Sequence, residues 1–448
     1  MSGIFEAIPR ALTARYQSAS LNPTIRLGWV DLLIRVKALS EQKKALVSLV
    51  CEPSPRIIFE TDGVGTELFF ASIDAEEEVE ILTTTVPTLP RRRLHRFAEH
   101  FTGYFPRTAF GTGTDLYRVG FSLFNFPDVM GPVVRTKRGT VRRATAGRLV
   151  LKSDEWFVVF DPSHDLRDKL RLARARGAHF VSHAGIVGRS DDSTFSADEV
   201  EELMEGLYFL ISFALGRRTG PVLPYGIYKG RERPAWTHWS VRSTDPVRSR
   251  ATWFDPHYPE SLNDLFGPFL NLWRQPESRR VLRSVVSWYV QAHDPDPIEN
   301  AIVSAQIAME ALAECFPHRP ELDDPSLGKD VAGRQARLLK RAQIPLAIPP
   351  ELAALEKAGG SQVWKNGPHA TTSLRNDIVH PDKRHRWPSE AMVDAWKLQL
   401  WYLELTVLAW LGYQGVHNRR TKTERWVGAV EPVPWAIPKA GAQGSDKS

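Results

Sequence analysis

The chain has almost no cysteine. Its 448 residues include 2, Cys51 and Cys315. They lie too far apart in sequence to suggest a disulfide framework or a zinc-ligand spacing. That scarcity fits a reducing compartment, and a cytoplasmic protein is expected. No apolar run reaches the roughly 18 residues that a membrane-spanning helix needs. The longest apolar region, Leu398 to Leu411, is interrupted by Gln399 and Glu404. The opening residues, Met1-Ser2-Gly3-Ile4-Phe5-Glu6, lack the basic-then-apolar pattern of a signal peptide. There is no P-loop, no glycine-rich dinucleotide fingerprint and no internal repeat, so no cofactor and no metal is expected. Asp161-Pro162-Ser163-His164-Asp165 carries metal-capable side chains, but it has no partner motif at a diagnostic spacing and reads as a loop. A strong net charge is also missing. The balance of 58 basic and 52 acidic residues leaves +6, which permits nucleic-acid binding without arguing for it.

What is present is ordinary globular composition, 42% hydrophobic and 25% charged, in a chain long enough for two or three domains. Tryptophan is plentiful, at 14 residues, and buried anchors are the simplest use for it. The basic residues are clustered. Arg91-Arg92-Arg93 leads into His95 and Arg96; Arg135, Lys137, Arg138, Arg142, Arg143 and Arg148 form a second group; Lys383-Arg384-His385-Arg386 form a third. Any one group reads as a solvated loop, but three together favour contact with nucleic acid.

The patterning predicts an α+β chain. Residues 1–195 read as a β-rich sensing or regulatory domain, with short aromatic and β-branched strands near 56–60, 67–73, 79–82, 117–124, 148–151 and 155–160. The basic stretch 135–148 is expected as a loop between strands. Helices are expected near Thr24–Leu49 and Leu166–Ala175. His183 lies in a β-like stretch and reads as a satisfied core histidine.

Residues 196–293 read as a helical and Trp/Pro-rich connecting region. It opens with the capping box Ser196-Ala197-Asp198-Glu199, and Gly216 stands at the first helix stop. Residues 294–418 read as an all-helical domain that starts at the cap Asp296 and Pro297. Its last helix, from Ser389 to Gly412, is apolar nearly all round in its second half, so one side is expected to face its own bundle and the other a second subunit. Residues 419–448 read as a disordered tail.

One constellation carries chemistry: Leu374-Arg375-Asn376-Asp377-Ile378-Val379-His380-Pro381. On a continuous helix, Arg375 and His380 would sit about 140° apart. Pro381 disfavours helix at His380, so the helix is expected to end near Ile378 or Val379. His380 is then free to turn back towards Arg375, with Ile378 and Val379 buried beneath. Histidine can serve as a general base or acid near neutral pH, and arginine can hold phosphate oxygens with a permanent charge. Such a pair suits RNA cleavage without a metal. The plainer alternative is an Arg and a His that cap carbonyls and pair with Asp377. Gly367-Pro368 reads as a turn, and Trp364, Trp387 and His369 flank the motif.

The segment around Arg375-Asn376-Asp377-Ile378-Val379-His380-Pro381 resembles the Arg-x4–6-His motif of the HEPN superfamily. The helix holding Ala308-Met309-Glu310-Ala311-Leu312 is similar to the first helix of its ApeA-like group. The resemblance covers roughly residues 295–415. It implies a four-helix bundle that pairs as a homodimer, with RNA as substrate and Arg375, His380 and Asn376 at the catalytic site. Glu310 and Asp377 would be supporting residues, Glu310 as a partner for Arg375, and Lys383, Arg384 and Arg386 would contact RNA. It also implies an endoribonuclease of antiphage defence or abortive infection, which a phage-derived trigger or regulatory partner could switch through the N-terminal domain. The other readings are a non-catalytic dimerisation and interaction protein, or a nucleotide-binding regulator.

Overall fold

The computed structural model describes eight strands before residue 109. From 109 to 436 it describes all residues except 139–140, 164, 177–179, 231–233, 239–241, 249, 318–323, 325, 361–363, 381–386 and 423–427. The chain is α+β and forms two compact units, residues 1–211 with 218–249, and residues 212–217 with 250–448. The stretch expected as a connecting region is thus divided between them.

The first unit is built on antiparallel sheets. Its early strands are β1 (Arg26–Leu32), β2 (Ile34–Val36), β3 (Ala45–Val50), β4 (Arg56–Thr61), β5 (Leu68–Ala71), β6 (Glu78–Glu80), β7 (Leu82–Thr83) and β8 (Glu99–Tyr104). They pair as a five-stranded sheet, β1-β3-β4-β8-β7, and a three-stranded sheet, β2-β5-β6. The helix expected over Thr24–Leu49 is therefore overturned. Apolar residues in that stretch do recur at helical spacing, but Val30, Ile34, Val36 and Val47 are β-branched, and β3 pairs with both β1 and β4. Long-range pairing outweighs the local period. The basic group at Arg91–Arg96 lies outside the described residues.

A seven-stranded sheet follows, in the order β13-β14-β15-β10-β16-β17-β9. Its members are β9 (Ala109–Gly111), β10 (Arg118–Phe124), β13 (Leu149–Lys152), β14 (Trp156–Pro162), β15 (Val181–Arg189), β16 (Pro221–Ile227) and β17 (Pro234–His238). Between β10 and β13 the chain forms a separate ribbon, β11 (Val133–Arg138) with β12 (Val141–Ala146). The basic stretch is thus a hairpin of strands, not a loop. Helix α1 (Leu166–Arg176) covers a small apolar cluster of Leu166, Leu170, Ala173, Phe180 and Val247. Asp161, read as part of a loop, lies within β14 instead, one residue before its end. It is buried and forms an ion pair with Arg148, Nε to Oδ1 at 2.6 Å.

The capping box forms at the start of α2 (Ala197–Leu215): the Ser196 amide donates to Glu199 Oε2 at 2.7 Å, and the Glu199 amide donates to Ser196 Oγ at 3.3 Å. Gly216, with φ +60°, takes the left-handed conformation just after the helix.

His183 lies in the core as expected, fully buried, with its ring edge-on to Phe126 at 5.1 Å. It is not satisfied, because neither ring nitrogen has a hydrogen-bond partner. Burial pushes its pKa from 6.5 down to about 3. The imidazole is thus neutral in the folded state and takes up a proton on unfolding at any pH between those values. Its contribution to stability is complete above pH 6.5 and falls as pH drops towards 3, by about 1.4 kcal/mol per unit. Denaturant titrations at pH 7.5 and 5 should show a loss of roughly 2 kcal/mol, of which His183→Phe removes most. An unchanged pH dependence in that variant would count against this account.

The second unit is helical, with α3 (Glu260–Trp273), α4 (Pro276–Ala292), α5 (Ile298–Cys315), α6 (Val331–Arg341), α7 (Ala353–Ala358), α8 (Gly367–Val379) and α9 (Ser389–Trp410). Helix α5 begins one residue later than expected. Its cap is Pro297 in extended conformation, without a side-chain cap bond, so Asp296 does not play that part. Helices α5, α6, α8 and α9 each pack against the other three. Leu398 through Leu408 of α9 are all buried within the chain itself. Both sides of that helix are therefore covered without a second subunit, which removes the sequence argument for a dimer surface there.

The described residues of the segment expected as a tail, 419–422 and 428–436, are packed in part. Strands β18 (Val416–His417) and β19 (Glu431–Pro432) pair, and Arg420, Thr421 and Val433 are buried. Among the described residues, no helix is long and apolar enough to cross a membrane.

Candidate active site

Helix α8 positions the motif. Its N-terminus is fixed by Asn366, whose side chain accepts from the His369 amide at 2.9 Å. Gly367-Pro368 is therefore the first helical turn and not a separate loop turn. The carbonyl of Leu346 accepts from the Gly367 amide at 2.7 Å and from Tyr402 Oη at 3.2 Å, tying this end to α9. Ala370 and Leu374 face the core, both fully buried. A Cβ on Gly367 would lie 2.2 Å from Tyr402 Oη, so only glycine allows the close approach of α8 to α9. We expect Gly367→Ala to destabilise this unit by roughly 1–3 kcal/mol, and Tyr402→Phe in the same chain to restore part of that, as read by thermal denaturation. Equal stability of Gly367→Ala and the parent would refute the clash.

The other end of α8 behaves as the proline predicts. The helix stops at Val379, and His380 is extended at φ −110° and ψ 91°, its amide still donating to the Asn376 carbonyl at 2.9 Å. The His380 side chain is exposed, whereas Arg375, Asn376 and Asp377 are half-buried. The expectation that Ile378 and Val379 anchor the turn is corrected: Ile378 is half-buried, and Val379 is 42% exposed. The core contact is made by Leu374, one turn earlier.

The surroundings of Arg375 are unusual for a cation. Nη1 donates to Asn376 Oδ1 at 3.2 Å, and Nε is shut away from water with no acceptor. Among the described residues, no carboxylate forms an ion pair with it. Glu310, expected as that partner, instead accepts from Gln306 Nε2 at 3.3 Å, and Gln306 Oε1 accepts from Gln399 Nε2 at 2.8 Å. A one-turn spacing on α5 suits the Gln306–Glu310 contact, which sequence reading overlooked. Asp377 is engaged elsewhere too, its Oδ2 accepting from Trp387 Nε1 at 3.2 Å.

Trp387 lies 5.5 Å from Trp364, whose ring is 5.8 Å from His369, so the flanking aromatics form one cluster beside α8. Lys383, Arg384 and Arg386 lie outside the described residues. The structure thus brings Arg375 and Asn376 together and places His380 at the end of the same helix. Glu310 and Asp377 are bonded to other side chains.

A second polar group, absent from the sequence reading, lies in the interior of this unit. Arg420 Nη2 donates to Glu404 Oε1 at 2.6 Å and Nε to Oε2 at 3.3 Å; Tyr289 Oη donates to Glu404 Oε1 at 2.7 Å. Arg420 Nη2 also lies 2.7 Å from His293 Nε2, and His293 Nδ1 lies 2.9 Å from the Tyr289 carbonyl. An arginine can only donate, so Nε2 accepts and Nδ1 carries the proton. Burial, then the Glu404 carboxylate, holds the Tyr289 pKa well above its usual value, while burial and then Arg420 hold that of His293 well below. With every member buried and bonded, this group holds structure together and offers no opening for a substrate.

The model of the YopA central domain matches residues 111–250, and that of the YopA C-terminal domain matches residues 275–431. The SPbeta prophage-derived uncharacterized protein YopA of Bacillus subtilis (strain 168) is 32% identical over 329 residues, which is 72% of this chain and 73% of that protein. The chain belongs to the YopA family. The YopA C-terminal match starts at Gln275, the N-cap of α4, and ends in β19, so it takes in both the Arg375 motif and the Arg420–Glu404 group. It also runs past 419, in keeping with a packed C-terminal segment. The YopA central match contains the β11–β12 ribbon and His183. No solved structure matches the chain.

Proposed function

We propose that this YopA-family chain is a metal-independent endoribonuclease of the HEPN type. The observation that carries the reading is Arg375, a half-buried cation that forms no ion pair among the described residues, held beside Asn376 on the helix that ends at the exposed His380. A half-buried guanidinium can donate to phosphate oxygens with a permanent charge. Glu310 accepts from Gln306 and Asp377 from Trp387, and neither forms an ion pair with Arg375.

In the proposed reaction His380 takes the proton of the RNA 2′-OH. The 2′-oxygen attacks the adjacent phosphorus, the P–O5′ bond breaks, and the 5′-oxygen takes a proton from water. Arg375 stabilises the charge that grows on the phosphate. The products are a 2′,3′-cyclic phosphate and a 5′-hydroxyl end. Mutual packing of α5, α6, α8 and α9 supports the four-helix arrangement that this reading requires. A homodimer belongs to the same proposal, with its contact at the end of α8 where Val379 is exposed, not on α9.

A role in antiphage defence, with a trigger acting through the first unit, completes the proposal. The Bacillus relative is described as prophage-derived, which supports a setting in phage biology. The test is incubation of the purified chain with single-stranded RNA in EDTA, with end-group analysis of the fragments. Cyclic phosphate ends lost in Arg375→Ala and His380→Ala are expected. Cutting by both variants at the parental rate would overturn the assignment, and RNA left intact by the parent chain would leave the non-catalytic interaction protein as the better reading.

A further inference from the structure

We infer that the β11–β12 ribbon is a binding arm for duplex DNA, a function separate from the ribonuclease reading. Between Asp128 and Asp154 the sequence contains no acidic residue, while Arg135, Lys137 and Arg138 lie on β11 and Arg142 and Arg143 on β12. The two strands form their own sheet and pair with no other described strand. Their register sets Lys137 against Arg142 and Thr136 against Arg143. Like charges directly opposite in a sheet are destabilising. A register that opposes them lowers the ribbon's own stability, and a polyanion laid along it relieves that cost.

The root of the ribbon is firmly held. The Gly147 amide donates to the Gly131 carbonyl at 3.2 Å and the Arg148 amide to the Pro132 carbonyl at 3.2 Å. Arg148 itself is committed to the buried Asp161 and so is not one of the DNA-facing charges. Beyond that root Val133 is 57% exposed and Arg135 is exposed, whereas Val134 is buried.

Three features select duplex DNA among nucleic acids. Two strands about 4.8 Å apart, each about 20 Å long, match a B-form major groove about 12 Å wide. The deep, narrow major groove of A-form RNA does not admit such a ribbon. Single strands are held mainly by stacking on aromatic rings, and no aromatic residue occurs between Asp128 and Trp156.

The test is fluorescence anisotropy of the full chain with labelled duplex DNA of mixed sequence, single-stranded DNA and duplex RNA over a range of salt. Tightest binding to duplex DNA is expected, with log K falling against log salt at a slope of about −4.5. The variant Lys137→Thr/Arg142→Thr/Arg143→Thr should lose at least about tenfold in affinity and reduce that slope to about −2. Its melting temperature should hold or rise, because the opposed charges are gone; a loss of binding together with a fall in melting temperature would count against the proposal. Arg135→Gln, outside the opposed pairs, should lower the slope by about 1 without affecting the fold. Arg375→Ala and His380→Ala should bind duplex DNA like the parent, which separates failure of the nuclease reading from failure of this one. Tighter binding to single strands or duplex RNA, or an unchanged slope in the ribbon variants, would overturn it.

Discussion

Replacing His380 by alanine is expected to lower RNA cutting by roughly 10²- to 10⁴-fold, the usual contribution of a positioned acid or base. Arg375→Ala should cost a similar factor, since it removes the charge opposite the growing phosphate negative charge. Arg375→Lys should recover little of this, because an ammonium keeps the charge but loses the planar fork that can hold Asn376 and a phosphate together. The two effects should not add. Once either residue is gone, the remaining one stabilises a transition state that no longer forms by the same route, so the double variant should cut at about the rate of the weaker single one. Single-turnover cleavage of a labelled RNA by the parent, His380→Ala, Arg375→Ala, Arg375→Lys and the double variant measures this. Full activity in His380→Ala would sink the assignment, as would rescue by Arg375→Lys to parental rate. The stability of each variant should be close to that of the parent, since His380 is exposed and, among the described residues, Arg375 bonds to its neighbour Asn376 alone.

The end of α8 was legible in the sequence because the decisive contact is local. Pro381 acts on the residue before it, so the stop at Val379 and the extended His380 follow from two adjacent letters. Ser196 and Glu199 are another local case, and the capping box forms as read. The failures lie where the partner is distant. Apolar residues of Thr24–Leu49 fit a helical period, but pairing with strands further along the chain fixes them as β1, β2 and β3. Gln399 and Glu404 stood out as polar breaks in an apolar helix, yet the sequence did not reveal that Gln399 would donate to Gln306 and that Glu404 would accept from Arg420. Glu310 lay on the right helix, and only the side-chain geometry gives it to Gln306 instead of Arg375. The basic stretch 135–148 was recognised by charge, while its strand character was hidden because basic residues occupied positions where β-formers were sought.

The second large effect concerns a residue that sequence reading placed in a tail. Arg420→Met should destabilise the helical unit by about 3–5 kcal/mol, because it leaves Glu404 buried and unpaired. Side-chain exposure is 3% for Arg420 and 0% for Glu404, so solvent can replace little of the lost interaction. Tyr289 Oη remains as a donor to Glu404, but a single neutral hydrogen bond does not offset a buried charge. Arg420→Lys should fall in between, since a point charge cannot reproduce the two bonds to Glu404 and the contact with His293 at once. The double variant Arg420→Met/Glu404→Leu should regain most of the loss, because it removes both charges and leaves an apolar interior. Truncation after Asn418, harmless to a chain with a disordered tail, should be as damaging as Arg420→Met. It would remove Arg420 and β19 together and strip α9 and the C-cap of α4 of their link to the C-terminal segment. Urea denaturation of the parent, Arg420→Met, Glu404→Leu and the double variant gives the coupling between the two charges directly, with the truncated chain measured beside them. A truncated chain as stable as the parent, or a double variant no better than Arg420→Met, would show that the buried pair does not hold the C-terminal segment in place.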